Sequence, residues 1–458
     1  MRTDLAILGA TVVTPAGTMP THVYARDGRI AALTSERLPA RETVEAGGLL
    51  LLPGMVDSHV HFMDPGATDR EDFISGSSAA AVGGVTTVIE HTHAAPVTDA
   101  AAFRAKAAHL QTRSLVDFGL AAHVLPDRLQ RVREVWQAGA LYLKAFTCTT
   151  HGIAGLSSFD LLRLFREAAA CGAICLVHCE DEALTAGAER HLRQAGRGDF
   201  GVIPLWRSRE AELVAVGVVA LLARLSGARV VIAHASHAAA VDLAVGERRR
   251  GAAVWVESCP QYFYLREEEV LEHGPFRKFT PPARCRSQAD TDAMWDRLRR
   301  GEITHVATDH APATRAQKEA GSIWEVHFGL PGVETTLPLM LHAVHQGRLS
   351  LPRLVEAVAE VPARLYGLYP RKGALQVGAD ADMVLVDPAL RRELRNEEIV
   401  SRAGWTPYAG RQVQGFPVMT FVRGRLVARD GKPTGEPGWG RLVRRVQGAD
   451  APPGGKSG

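Results

Sequence analysis

A chain of 458 residues that is 46% hydrophobic carries enough apolar material for a large core, which excludes a disordered chain and predicts one big domain or a few smaller ones. Its 53 basic and 50 acidic side chains leave a formal +3, and no run of like charge is longer than Arg248 to Arg250, so neither nucleic acid nor an anionic membrane is an expected partner. A small neutral molecule suits that balance better.

Residues 1–52 alternate in short strand-like bursts (LAILGATVV, HVYARDGRIAALT, GLLLLPG) between Gly and Asp turns, which predicts a small β unit. The first residues include Asp4 and lack the basic start, apolar stretch and cleavage site of a signal peptide. From Gly54 the rhythm changes to apolar bursts alternating with helical segments. The bursts are GMVDSHV (54–60), GVTTVIEH (84–91), VDFGLAAH (116–123), ALYLKAF (140–146), AICLVHC (173–179), RVVIAH (229–234), AAVWVES (252–258) and THVATD (304–309). Eight such strands spaced by helices predict an α/β fold, a closed parallel (β/α)8 TIM barrel over 53–372. An open sheet uses the same pattern, but His59, His91, His123, Lys144, His178, His234, Ser258 and Asp309 all fall at or near strand ends, and only a barrel brings those ends to one mouth.

After residue 372 the strand rhythm returns in GALQVGADADMVLVD and GFPVMTFVRGRLVARDG, so 1–52 and 373–435 are expected to build one β-sandwich from both chain ends. Residues 436–458 are expected to form a C-terminal tail, with APPGGKSG disordered. The longest apolar helix-like run, Leu213 to Leu225, is too short for a bilayer and is broken by Gly217 and Arg224. The six cysteines form no CxxC pair and read as reduced thiols, which together with the N-terminus predicts a cytoplasmic protein.

The chemistry starts at Asp57-Ser58-His59-Val60-His61. Strand alternation puts both imidazoles on one side, where they can share a metal ion, although an HxH pair alone is a weak signal. His178 in LVHCED, His234 in VIAHAS and Asp309 in ATDHAP stand at other strand ends of the same mouth. Lys144, within LYLKAF, is the residue that joins them. An ammonium buried in an apolar strand is costly unless it is paired or loses its charge. It either adds carbon dioxide and bridges two metal ions as a carbamate, or makes an ion pair with Glu180 or Asp309.

The runs GMVDSHVHFMDPG, KAF, VHCED, AHAS, ESCPQYF, FTPPAR, ATDHAP and GLPGVETTLPL, with the closing GALQVGADADMVLVD and GFPVMTFVRGRLV, resemble the cyclic amidohydrolases, the group of dihydroorotase, allantoinase and hydantoinase or dihydropyrimidinase. The resemblance implies two divalent ions, expected to be zinc: His59 and His61 on the more buried one, His178 and His234 on the more exposed one, Lys144 as carbamate bridge, and Asp309 as both ligand and proton carrier. It also implies a cyclic amide substrate and a homodimer or homotetramer. A dihydroorotase-like arginine and asparagine are replaced by Met63 and His93, and the tyrosine that hydantoinases place after the bridging lysine is replaced by Thr149. An allantoinase-like ureide or imide ring is therefore expected by elimination, with Met63, His93, Thr149, Thr280 and Gly332 as substrate contacts. Hydantoinase, dihydropyrimidinase or dihydroorotase activity is the nearest alternative. A deaminase or N-acyl amino acid hydrolase, or a non-catalytic assembly protein that has lost ligands, stands further off.

Overall fold

In the structure, a computed structural model that describes residues 3–446, the bursts after Gly54 become neighbouring parallel strands. They run Met55–Val60, Val85–Glu90, Asp117–Leu120 continued by Ala122–His123, Leu143–Phe146, Ile174–His178, Arg229–Ile232, Val254–Ser258 and His305–Val306. Nearly every residue in them is buried, as expected of strands covered on both faces. Two backbone bonds, Ala121 N–H to Glu90 O at 3.1 Å and Leu141 N–H to Leu120 O at 2.8 Å, carry the ladder across the break in the third strand. At the other seam Val60 bridges His310 in parallel and His61 N–H donates to His310 O at 2.7 Å, which closes the barrel. Close approach is built in at Gly54, where a Cβ would lie 2.0 Å from Thr86 Oγ1 of the next strand.

The surrounding helices are set by local signals. Helix Ser158–Cys171 starts where the Ser157 side chain accepts the Asp160 N–H, and ends at Gly172 in the left-handed conformation. Its buried residues, Leu161, Leu164, Phe165 and Ala168, recur every three or four positions and make one apolar stripe against the barrel.

Both chain ends meet in one nine-stranded sheet. Strand Leu50–Pro53 pairs antiparallel with Met383–Glu393 on one side and parallel with Thr3–Thr14 on the other. Leu5, Ile7, Val23, Leu51, Met383, Leu385 and Phe421, from both ends, share one apolar cluster. Where this sheet meets the barrel, the buried Lys372 ammonium lies 2.5 Å from Asp117, 2.9 Å from Asp380 and 2.6 Å from Asp382, and Arg423 also pairs with Asp117. Removing one partner from a buried ionic cluster strands the others, so Lys372→Met is expected to cost about 3–5 kcal/mol of stability, read by denaturant unfolding. A loss below about 1 kcal/mol, the range of a surface ion pair, would contradict that role.

The expected tail is different from 436 to 446. Leu442 bridges Phe118, Val443 is 1% exposed beside Leu141 and Tyr142, and the Arg445 guanidinium lies 3.5 Å from the Trp136 ring centroid. A few apolar side chains in a basic run suffice to hold this segment against the barrel, where burial repays its ordering. APPGGKSG lies outside the described residues. No described helix is long and apolar enough to cross a membrane, and all six cysteines are free thiols.

Candidate metal centre

The strand ends bring the six chemistry-bearing residues together. His59 and His61 Nε2 lie 3.2 and 3.3 Å from the same atom, Asp309 Oδ1. Lys144 Nζ lies 3.4 Å from His59 Nε2, and His178 Nδ1 faces His234 Nε2 at 3.0 Å. The His59 and His234 rings, 5.4 Å apart, join the two halves. His234 and Asp309 have φ of 36° and 49°, in the left-handed region that costs a non-glycine residue roughly 1–3 kcal/mol and that clusters at functional sites.

Hydrogen-bond partners fix where each imidazole keeps its proton. His59 Nδ1 donates to Glu257 Oε1 at 2.6 Å and His61 Nδ1 to the His91 carbonyl at 3.1 Å, so both rings turn an Nε2 lone pair inward. His178 Nε2 donates to Glu180 Oε2 at 2.9 Å, leaving its Nδ1 lone pair toward His234. Burial lowers the pKa of all four rings, which keeps them neutral. Burial also pulls the Lys144 amine down to about 8, against the opposing charges of Asp309 and Glu257. Burial raises the Asp309 carboxyl, with His59 and Lys144 opposing.

Burial alone would raise Glu257 and Glu180 as well, but the His59 and His305 rings beside Glu257, and Arg207, His178 and Arg284 around Glu180, outweigh it and hold both well below the usual carboxylate range. Arg284 Nη2 lies 2.6 Å from Glu180 Oε1 and Arg207 Nη1 3.1 Å from Glu180 Oε2. Glu180 is thereby committed elsewhere, and among the described residues no carboxylate lies within ion-pair distance of Lys144 Nζ. Inward lone pairs, one carboxylate and an unpaired buried amine form a donor set that fits divalent cations.

Glu257, which orients His59, is absent from the sequence's candidate residues, and Glu180, which orients His178, enters there only as a possible ion-pair partner of Lys144. Glu257 stands in the apolar strand VWVES as Lys144 stands in LYLKAF, and the same cost of burying a charge singles it out.

The expected substrate contacts divide. Met63 is buried, with φ 58°, and its sulfur accepts the Thr92 hydroxyl at 3.3 Å. His93 reaches the mouth: its ring lies 4.3 Å from that of His61, stacks on His151 at 4.4 Å, and its Nδ1 faces His123 Nε2 at 3.3 Å. Thr149 is exposed on the rim with its N–H donated to Glu182. Thr280 gives its hydroxyl to Glu180 at 2.8 Å, behind His178. Gly332 N–H donates to His310 Nδ1 at 3.1 Å and its carbonyl accepts the Thr336 N–H at 3.1 Å.

The amidohydrolase family description matches residues 50–427. An L-hydantoinase of Paenarthrobacter aurescens is 34% identical over 96% of this chain and 98% of its own. An allantoinase of Rubrobacter xylanophilus is 35% identical over 96% of this chain and 97% of its own. The solved L-hydantoinase (dihydropyrimidinase) from Arthrobacter aurescens superposes with a TM-score of 0.93 at 34% identity, covering 97% of this chain and all (100%) of that one. Likeness of this extent, over nearly the full length of both partners, makes the protein a member of the amidohydrolase family, in its group of cyclic amidohydrolases.

Proposed function

We propose that the protein hydrolyses a ring C–N bond of a cyclic amide, with His59, His61, Lys144, His178, His234 and Asp309 holding two divalent metal ions, zinc by preference, and Lys144 carrying carbon dioxide as a bridging carbamate. The observation that carries this reading is the set of lone pairs on His59 Nε2, His61 Nε2 and His178 Nδ1, each fixed by a partner on the other ring nitrogen and turned toward one mouth. When bound, such a metal pair supplies hydroxide at neutral pH and polarises the scissile carbonyl.

The chain's own residues do the rest. Asp309 Oδ1 is held between His59 and His61, and Oδ2 has no partner among the described residues, so that oxygen is the one to take the proton of the attacking hydroxyl. It returns the proton to the ring nitrogen, which cannot depart as an amide anion. Glu257 and Glu180 lock the tautomers of His59 and His178 throughout. On this reading Met63 and His93 meet the ring with a thioether and an imidazole, which suit a neutral ureide or imide, and His93 already lies beside His61. Allantoin-like ring opening is the first reading, and relatives named allantoinase support it. Opening of a 5-substituted hydantoin is the second, favoured by the similarity to L-hydantoinases.

The same reading includes a cytoplasmic enzyme working as a homodimer or homotetramer. Val214, Leu221 and Leu225, exposed along helix Arg209–Ser226, are apolar surface that self-association would cover. Incubation with allantoin, 5-substituted hydantoins, dihydrouracil, dihydroorotate and succinimide tests the substrate directly. Turnover is expected with at least one ring, allantoin first; hydrolysis of none of them would contradict the cyclic amide assignment.

A further inference from the structure

His91 stands just past the end of the second barrel strand, next to the proposed ligands yet outside their set. Its ring lies 4.5 Å from that of His59 and 4.3 Å from that of His61, and one ring nitrogen from each of the three residues lies within 4.8 Å of the others. Its tautomer follows from a short chain of bonds. The Tyr142 hydroxyl contacts two atoms, the Ser58 carbonyl at 2.8 Å and His91 Nδ1 at 2.7 Å. A carbonyl only accepts, so the single phenol proton goes to Ser58 and the phenol oxygen accepts the proton of His91 Nδ1. The lone pair of His91 is therefore on Nε2. That atom is buried and has no hydrogen-bond partner among the described residues. Leaving a buried acceptor unmatched is costly, and such an atom calls for an explanation.

We propose that His91 Nε2 is a seventh protein donor of the centre, ligating the ion held by His59 and His61, with Tyr142 as the positioning residue that fixes its tautomer. This rests on the two-metal reading above. It gives the inner ion three imidazoles against two for the outer one. Borderline nitrogen donors tighten the hold on late first-row divalent ions, so the inner ion is the harder of the two to remove.

The test uses wild-type, His91→Leu and His91→Asn protein loaded with zinc and bicarbonate, dialysed against graded dipicolinate, with residual zinc counted and folding followed by circular dichroism. Asparagine keeps an amide donor for Tyr142 but has no ε nitrogen, and it serves if the leucine variant does not fold. Both variants are expected to release their more tightly held zinc at about 10-fold or more lower chelator concentration than wild type, the scale seen when a metal site loses a supporting group. Cobalt-loaded His91→Asn is expected to show a visible absorption spectrum different from that of cobalt-loaded wild type. Coincident release curves for wild type and His91→Asn, with both ions bound, would overturn the role of His91 alone. A wild-type protein that holds no metal would overturn the two-metal reading and this inference with it.

Discussion

Replacing Asp309 by asparagine is expected to lower kcat for ring opening by roughly 10³-fold or more, within the range typical of a lost general acid–base group. Asparagine has the same shape, and its amide oxygen can take the place of Oδ1, which lies 3.2 and 3.3 Å from His59 and His61 Nε2. It has no basic oxygen to receive a proton, and the departing ring nitrogen then lacks its donor. The loss should fall on kcat rather than KM, because Asp309 handles the proton and not the ring. Steady-state kinetics on whichever ring the wild-type protein opens would check this, with metal content measured alongside. Retention of more than a tenth of wild-type kcat would remove Asp309 from the proton path.

Lys144→Ala is expected to lose both activity and bound metal. Lys144 is 1% exposed, its Nζ lies 3.4 Å from His59 Nε2, and among the described residues no carboxylate is paired with it. A buried ammonium repels cations, whereas a carbamate formed on the same nitrogen is anionic and provides negative oxygens that alanine cannot. Short carboxylic acids such as acetate or propionate fit the space left by the side chain and should restore part of the activity. The measurement is metal content and turnover of the variant with and without added acid. Full activity of the unrescued variant would refute the bridge.

The barrel was legible because parallel strands covered on both faces read as unbroken apolar runs. The runs were longer than the strands they became. THVATD (304–309) yields only His305–Val306, and the chain enters the left-handed region at Asp309. Lys144 was legible for the same reason that makes it costly: a charge in an apolar strand has to be explained. Glu257 in VWVES obeys the same rule.

What the sequence hid were pairings between distant segments. Thr280 and Gly332 read as ring contacts in sequence, and the fold adds that the Thr280 hydroxyl donates to Glu180, 100 positions away in sequence, and the Gly332 N–H to His310. Neither partner is visible without the fold. The His91 tautomer likewise depends on Ser58, in the first barrel strand, and Tyr142, just before the fourth. The segment 436–446 reads as tail in sequence because what holds it lies far away: Leu442 bridges Phe118, Val443 joins the cluster of Leu141 and Tyr142, and Arg445 lies over Trp136.

The two-metal mouth is the claim on which the rest depends. Its most direct test is the metal content of protein prepared with added zinc and bicarbonate, measured by elemental analysis on the folded chain. Close to two divalent ions per chain are expected; a folded preparation that retains none would contradict the account.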